Sequence, residues 1–190
     1  MDLRKRIELI KLDYELTGVR VVFLRSFRKL PTPGGVINAR KGDELELPRW
    51  QARLLEAEGI VDVREQDMDI DYVNTYHFRE KKRVAANQLS QMPRDFYLKA
   101  KELVDRLNKL IRESPSHMLL RDREIVEKNL IELAESRLVK IMRLAQTGGG
   151  EELRDRMTPE EVLVYDSLKN IVESWRSYIR SIFPEQGEGS

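Results

Sequence analysis

The chain has 190 residues, 41% hydrophobic and 35% charged, and its 34 basic and 33 acidic side chains leave a net charge of +1. That apolar content suffices for a core under an unusually charged surface, and the balance of charge excludes coating nucleic acid by bulk electrostatics, leaving only a local patch open. The absence of cysteine excludes a disulfide framework, a thiol nucleophile and a thiolate metal site.

Apolar runs are too short to span a membrane. The opening MDLRKRIELIKLDYEL mixes charge through its apolar residues, unlike a signal peptide, so an intracellular, soluble protein is expected. Leu3, Ile7, Ile10 and Tyr14 recur at helical spacing and predict a short amphipathic helix, closed by Gly18. Val19 to Arg25 is dense in β-branched and aromatic residues and reads as a strand. Leu30 to Gly35, with two prolines and two glycines, reads as a loop, followed by a short strand over Val36 to Ala39. Lys41-Gly42-Asp43 is a turn, and Leu45 and Leu47 alternate with Glu44 and Glu46 as in a half-buried strand. Pro48 suits the first turn of a helix whose face holds Trp50, Leu54 and Leu55. Gly59 ends that helix, and Ile60 to Val63 returns as a strand. Arg64 to Asp71 is a charged connector.

Helical signals dominate from there. Residues 74–88 are mostly polar, with Tyr76, Val84 and Leu89 as anchors. Pro93 opens a helix with Asp95 in its first turn and a stripe of Phe96, Ala100, Leu103, Leu107 and Leu110, widened by Val104 and Ile111. Ser114-Pro115-Ser116 breaks it. A long helix over Leu119 to Ala145 carries Ile125 or Val126, Leu130, Leu133 or Ala134, Leu138, Ile141, Met142 and Ala145. Gly148 to Gly150 is a flexible connection without the Lys-Ser or Lys-Thr of a phosphate loop. Thr158-Pro159-Glu160-Glu161 is the clearest helix start, with a capping box. Leu168, Ile171, Val172, Trp175, Tyr178, Ile179 and Ile182 give the last helix a broad apolar face, Pro184 stops it, and residues 185–190 form a disordered tail. The fold class is α+β: a small β-rich N-terminal domain (1–66, including the N-terminal segment) followed by a larger all-α helical-bundle domain (67–184).

No catalytic, cofactor or metal site is expected. His77 and His117 lack spaced partners and read as surface histidines, and Asp67, Asp69 and Asp71 fit a charged connector better than a cation loop. Ser90, Ser114 and Ser116 lack the surroundings of a nucleophile. Arg25, Arg28, Lys29, Arg40 and Lys41, near Phe23, Phe27 and Trp50, form a candidate nucleic-acid or partner rim, or else a solvated rim beside a small core. Lys81-Lys82-Arg83 reads as a solvated face. Trp175, Tyr178 and Phe183 pack an internal core or anchor a subunit interface, and stripes this broad favour an oligomer.

Three stretches carry a family resemblance: MPRDFYLKAKELVDRL (Met92 to Leu107), RDREIVEKNLIELAESRLVKIMRLA (Arg121 to Ala145) with its Arg137-x-x-Lys140-Ile141 and Leu144-Ala145, and KGDELELPRWQARLLEAEGIVDV (Lys41 to Val63). Together they resemble subunits of the GINS complex, the replication-fork assembly of archaea and eukaryotes. The small-domain-first order resembles the archaeal subunit related to the second and third eukaryotic subunits; the alternative is a helical-domain-first type in rearranged order. The resemblance implies a non-enzymatic scaffold built with a second GINS subunit type, two copies of each. It also implies support of the minichromosome-maintenance helicase and a RecJ-like, DHH-family partner, at replication forks in an archaeal cytoplasm. Phe96, Tyr97, Leu103, Leu107, Leu130, Leu138, Ile141, Trp175 and Tyr178 are then the expected core and interface residues, with Arg137 and Lys140 paired to carboxylates between helices. The rival expectation is an independent DNA-binding module acting through the basic rim.

Overall fold

The computed structural model describes residues 2–65, 67–83 and 88–183. A small β-rich region precedes a larger helical one, so the class is α+β with a helical bundle. The chain divides into two compact units, Glu8–Asp67 and Met1–Ile7 with Met68–Ser190. The sequence placed a boundary between residues 66 and 67; by contacts, the start of helix α1 (Leu3–Leu16) groups with the helical residues. The expected anchor Val84, the stop at Pro184 and the tail 185–190 lie outside the described residues.

In the small unit, β1 (Gly18–Phe23) is the middle strand of an antiparallel sheet, between β4 (Glu44–Pro48) and β5 (Val61–Val63). Val19, Val21 and Phe23 alternate inward and meet Leu47, Val61, Ala52 and Leu55 in one apolar cluster. Gly18 begins this strand rather than closing α1; a Cβ there would come 2.0 Å from Glu46 Oε1 across the strand pair. β2 (Phe27–Thr32) and β3 (Gly35–Ala39) form a separate hairpin. The loop expected over Leu30 to Gly35 is therefore mostly strand: Thr32 pairs with Gly35, and only Pro33 and Gly34 turn. Pro31 is tolerated because its outward carbonyl accepts Gln51 Nε2 at 2.6 Å and its missing N–H is on the same outward side.

Helix α2 (Arg49–Ala57) starts just after Pro48, which ends β4 and holds the N-cap position without a capping side-chain hydrogen bond, one residue before the first turn where it was expected. Its buried face is Arg49, Gln51, Ala52 and Leu55, so Trp50 and Leu54 point to solvent, a correction to the expected face. The small side chain of Ala52 lets the helix approach the sheet, and the larger Trp50 and Leu54, two positions to either side of it, fall nearly half a turn away on the opposite face. Gly59, at φ +64, closes the helix as expected: its N–H reaches the Glu56 carbonyl at 2.8 Å and the Ile60 N–H reaches Leu55 at 2.8 Å.

In the helical unit, α3 (Ile70–Lys81), α4 (Phe96–Glu113) and α6 (Pro159–Ile182) all pack on the long α5 (His117–Thr147). Helix α3 begins inside the span read as connector: Asp69 accepts the Tyr72 N–H at 2.7 Å, and Met68 is buried in the bundle core. Helix α4 begins at Phe96, three residues after Pro93, and Asp95 pairs with Lys99 at 2.9 Å instead of capping. Ser116 caps α5, and Thr158 and Glu161 form the expected capping box on α6, at 3.3 and 3.0 Å.

The connection from α5 is tighter than a flexible linker. Gly148, at φ +79, caps α5 through its N–H to Leu144 at 3.0 Å. Gly150 is buried before the short 3-10 helix Glu151–Arg156, where a Cβ would come 2.3 Å from the Tyr165 ring. Gly150→Ala is therefore expected to cost about 1–3 kcal/mol through overpacking against a fully buried ring. Urea denaturation measures this; an unchanged midpoint would mean that Tyr165 moves aside freely.

Candidate functional site

Two residues of the apolar stripe on α5 are basic, and their burial organises the helical unit. Arg137 is 0% exposed. Its Nε and Nη2 donate to the two carboxylate oxygens of Glu161 at 2.6 and 2.7 Å. Its Nη1 donates to Glu80 Oε2 at 2.8 Å and to the Ser90 carbonyl at 3.0 Å, and Nη2 also reaches the Arg156 carbonyl at 2.8 Å. All five guanidinium N–H donors are thus used. Lys140, one turn on, donates to Glu80 Oε1 at 2.5 Å and to the Arg83 carbonyl at 2.7 Å. Two cations and two carboxylates cancel, so the cluster fastens α3, α5 and α6 without net buried charge. Tyr97 of α4 joins through its hydroxyl, which donates to Glu161 Oε1 at 2.8 Å. Burial and then the charge of Glu161 raise this phenol well above its usual range, so it stays a donor.

Burial raises the Glu80 carboxyl, but hydrogen bonds from Lys140 and Ser90 and the charge of Arg137 outweigh it and hold the group below its ordinary 4.5. A carboxyl depressed on folding stabilises the fold above its unfolded value, and that contribution is lost as pH falls through the folded value. The chain is therefore expected to lose stability below pH 4.5. A Glu80→Gln variant, weaker at neutral pH, should lose less on the same acidification. Urea midpoints measured across pH for both proteins compare the two slopes; equal slopes would exclude Glu80 as the source.

A second feature is on the surface. Contacts between Arg137 and Glu161, and between Arg176 Nη2 and the Gln146 carbonyl at 2.6 Å, show α5 and α6 running in the same direction. Because α5 ends at Thr147, the last turns of α6 extend beyond it. There Ile171, Trp175, Tyr178 and Ile182 fall at spacings of four, three and four, one stripe of a helix. With Phe183 they are 53–71% exposed. The Trp175 and Tyr178 rings lie 5.9 Å apart over a shallow depression that also includes Asn170, Ile171 and Ser174. Arg176 and Lys169 line the edge towards α5 and the 3-10 helix, where Lys169 pairs with Glu151 at 2.7 Å. The opposite edge, Ser167, Asn170, Ser174 and Ser181, carries no charge. The broad apolar face expected here exists, and most of its outer half is uncovered.

Of the other expected core and interface residues, Phe96, Leu103 and Leu107 are buried together with Val126 and Leu133, and Ile141 is buried with Leu144 and Tyr165. Tyr97 and Leu130 are half-buried at the edge of the first cluster. Leu138, Met142 and Leu110 are exposed, because the inward positions of α5 go to Arg137, Lys140 and Ile141 and those of α4 end at Leu107. Leu138 instead borders a small cavity with Tyr97, Ala134, Ile141 and Val164.

Arg25, Arg28, Lys29, Arg40 and Lys41 are all exposed, and among the described residues no acid forms an ion pair with their side chains, though Asp43 Oδ2 accepts the Arg40 backbone N–H at 2.7 Å. Two turns bring them together: the Lys41 N–H donates to Ser26 Oγ at 3.2 Å and the Gly42 N–H to the Phe23 carbonyl at 2.7 Å. Of the aromatics expected beside them, Phe23 is buried and Phe27 packs against the same core, while Trp50 is exposed on α2. The expected solvated run behaves differently at each residue: Lys81 pairs with Glu132 at 2.8 Å, Lys82 lies over the Phe78 ring and the Arg83 carbonyl accepts from Lys140. His77, expected to be a plain surface histidine, contacts the same Glu132 at 3.0 Å. Among the described residues no group of three or more His, Cys, Asp or Glu is placed to hold a metal, and no helix is long and apolar enough to cross a membrane.

Glu80 and Ser90 carry no local sign of their role. The signal is indirect: two cations within an apolar seam demand two buried carboxylates somewhere in the chain.

A family model for the GINS complex protein helical bundle domain (Sld5) matches residues 67–180, more than half of the chain. No curated protein matches it.

Proposed function

The chain belongs to the family of GINS complex proteins, and we propose that within the complex it is a scaffold subunit that bridges and supports the replicative helicase. Its role lies in the GINS complex of DNA replication, and the family is one of non-catalytic subunits. The observation that carries the scaffold reading is the uncovered stripe Ile171, Trp175, Tyr178 and Ile182 on α6. Exposed apolar area there is roughly 350–500 Å², counting about 150–250 Å² for each whole aromatic side chain, and such contiguous patches mark interaction sites. It is about half of one partner's share of a standard interface, about 800 Å².

The occupant is a second GINS subunit of the helical-domain-first type, with two copies of each in the assembly. This chain is the small-domain-first type of an archaeal complex, cytoplasmic and active at replication forks. The minichromosome-maintenance helicase and a RecJ-like, DHH-family protein are its further partners. Rigid bridging suffices as mechanism, because several weak contacts on one scaffold raise effective concentration. Co-expression with a helical-domain-first relative, followed by mass measurement of the intact complex, tests the reading. A mixed complex with two copies of each chain is expected; a monomer alone and in every mixture would overturn it.

A second reading is favoured by the five unpaired basic residues of the small unit: direct contact with single-stranded or forked DNA through Arg25, Arg28, Lys29, Arg40 and Lys41. Neutralising phosphates makes affinity fall with salt, by a slope of about −0.7 per contact on single strands. Binding that weakens in this way, and weakens further in Arg28→Ala with Arg40→Ala, is expected. No binding at low salt would remove the second reading and leave the first untouched.

A further inference from the structure

Strand β4 ends its sheet with an open edge. Its pairing with β1 is fixed by the Phe23 N–H to Asp43 carbonyl bond at 2.9 Å and the Arg49 N–H to Thr17 carbonyl bond at 2.9 Å, which bracket the strand pair. In an antiparallel ladder hydrogen-bonded and non-hydrogen-bonded pairs alternate, so Leu45 and Leu47 bond to β1 while Glu44 and Glu46 turn their N–H and C=O groups outward. Neither Glu44 nor Glu46 has a backbone partner among the described residues. Beside this edge runs a groove lined by Leu45, Glu46, Leu47 and Pro48 on the strand and by Thr32 and Ile37 of the β2–β3 hairpin. The groove exists because β3 and β4, though joined by the short turn at 40–43, do not pair.

We propose that this edge binds an extended segment of a partner protein, added to the sheet as a fourth strand, in which apolar residues alternate with Lys or Arg. Side chains on an added strand alternate between the faces of the sheet. Those level with Leu45 and Leu47 enter the apolar groove beside Ile37. Those level with Glu44 and Glu46 fall on the outer face, next to two exposed carboxylates that form no ion pair among the described residues. Opposite charges directly across a strand pair are favourable and like charges unfavourable. The same carboxylates therefore disfavour a second copy of this chain: two β4 edges would set glutamate against glutamate, a known guard against self-pairing. Main-chain hydrogen bonds supply affinity and the alternating side chains supply selection, as in other strand-addition complexes.

A capped peptide of about six residues alternating valine and lysine, a usual strand length, is titrated into the full chain, with an alternating valine–glutamate peptide as control. Saturable binding of the lysine peptide is expected, with slowed hydrogen exchange at the Glu44 and Glu46 amides and at least about tenfold weaker binding of the control. Glu46→Pro removes an outward N–H without touching the β1 ladder, and is expected to weaken the peptide by about tenfold while the thermal midpoint holds. Should that variant misfold, Glu44→Lys with Glu46→Lys serves instead and should reverse the preference between the two peptides. Equal binding of both peptides, exchange slowed only elsewhere, or no binding of the lysine peptide overturns the proposal.

Discussion

Arg137→Met is expected to cost roughly 3–5 kcal/mol of folding stability, the range for removing one partner from a buried ion cluster. The substitution keeps the side-chain volume but leaves Glu161 without its bidentate partner and Glu80 with Lys140 and Ser90 alone. Both carboxylates are within the bundle, where an unpaired charge cannot be rehydrated cheaply. Arg137→Lys should recover part of the loss, since an ammonium restores the charge but cannot reach both Glu161 oxygens, Glu80 and the Arg156 carbonyl together. Chemical denaturation of the three proteins ranks them. A loss below about 1 kcal/mol for the methionine variant would show that the two carboxylates simply take up protons.

Trp175→Asp is expected to weaken association with the proposed helical-domain-first partner by at least about thirtyfold, since a central aromatic anchor accounts for about 2–4 kcal/mol when lost. The stability of the chain on its own should stay within about 0.5 kcal/mol, because the side chain is mostly in solvent and touches little besides Tyr178. The two readouts separate interface from core. Mass measurement of the co-expressed pair gives the first and urea denaturation of the isolated chain the second. A variant that assembles normally removes α6 from the interface, and one that unfolds places Trp175 in the chain's own core.

Features encoded within a few residues were legible in the sequence, and features that depend on distant segments were not. The capping box at Thr158 and Glu161 and the stop at Gly59 are complete within four or five residues. Pro31 to Gly35 misled because prolines and glycines signal turns, whereas strand pairing across Pro33-Gly34 and support from Gln51 depend on other segments. The pairing of Arg137 and Lys140 with carboxylates was foreseeable from cations inside an apolar seam. Their partner Glu80, 57 and 60 residues away, was not. Periodicity located the apolar face of α6 but not its exposure, since a helical wheel reports which side is greasy and not whether a neighbour reaches it. The open edge of β4 was hidden for a similar reason: Glu44 and Glu46 read as the solvent side of a strand, and only the strand order reveals that no neighbour follows.

The overhang of α6 past the end of α5 has a consequence for the lifetime of the chain in a cell. Terminal turns without lateral packing open most readily, and here they display aromatic side chains as they do so. Chaperones and proteases act on exposed apolar segments of this kind and change abundance through them. A copy whose overhang is covered by a bound neighbour is thus expected to be degraded more slowly than a bare one.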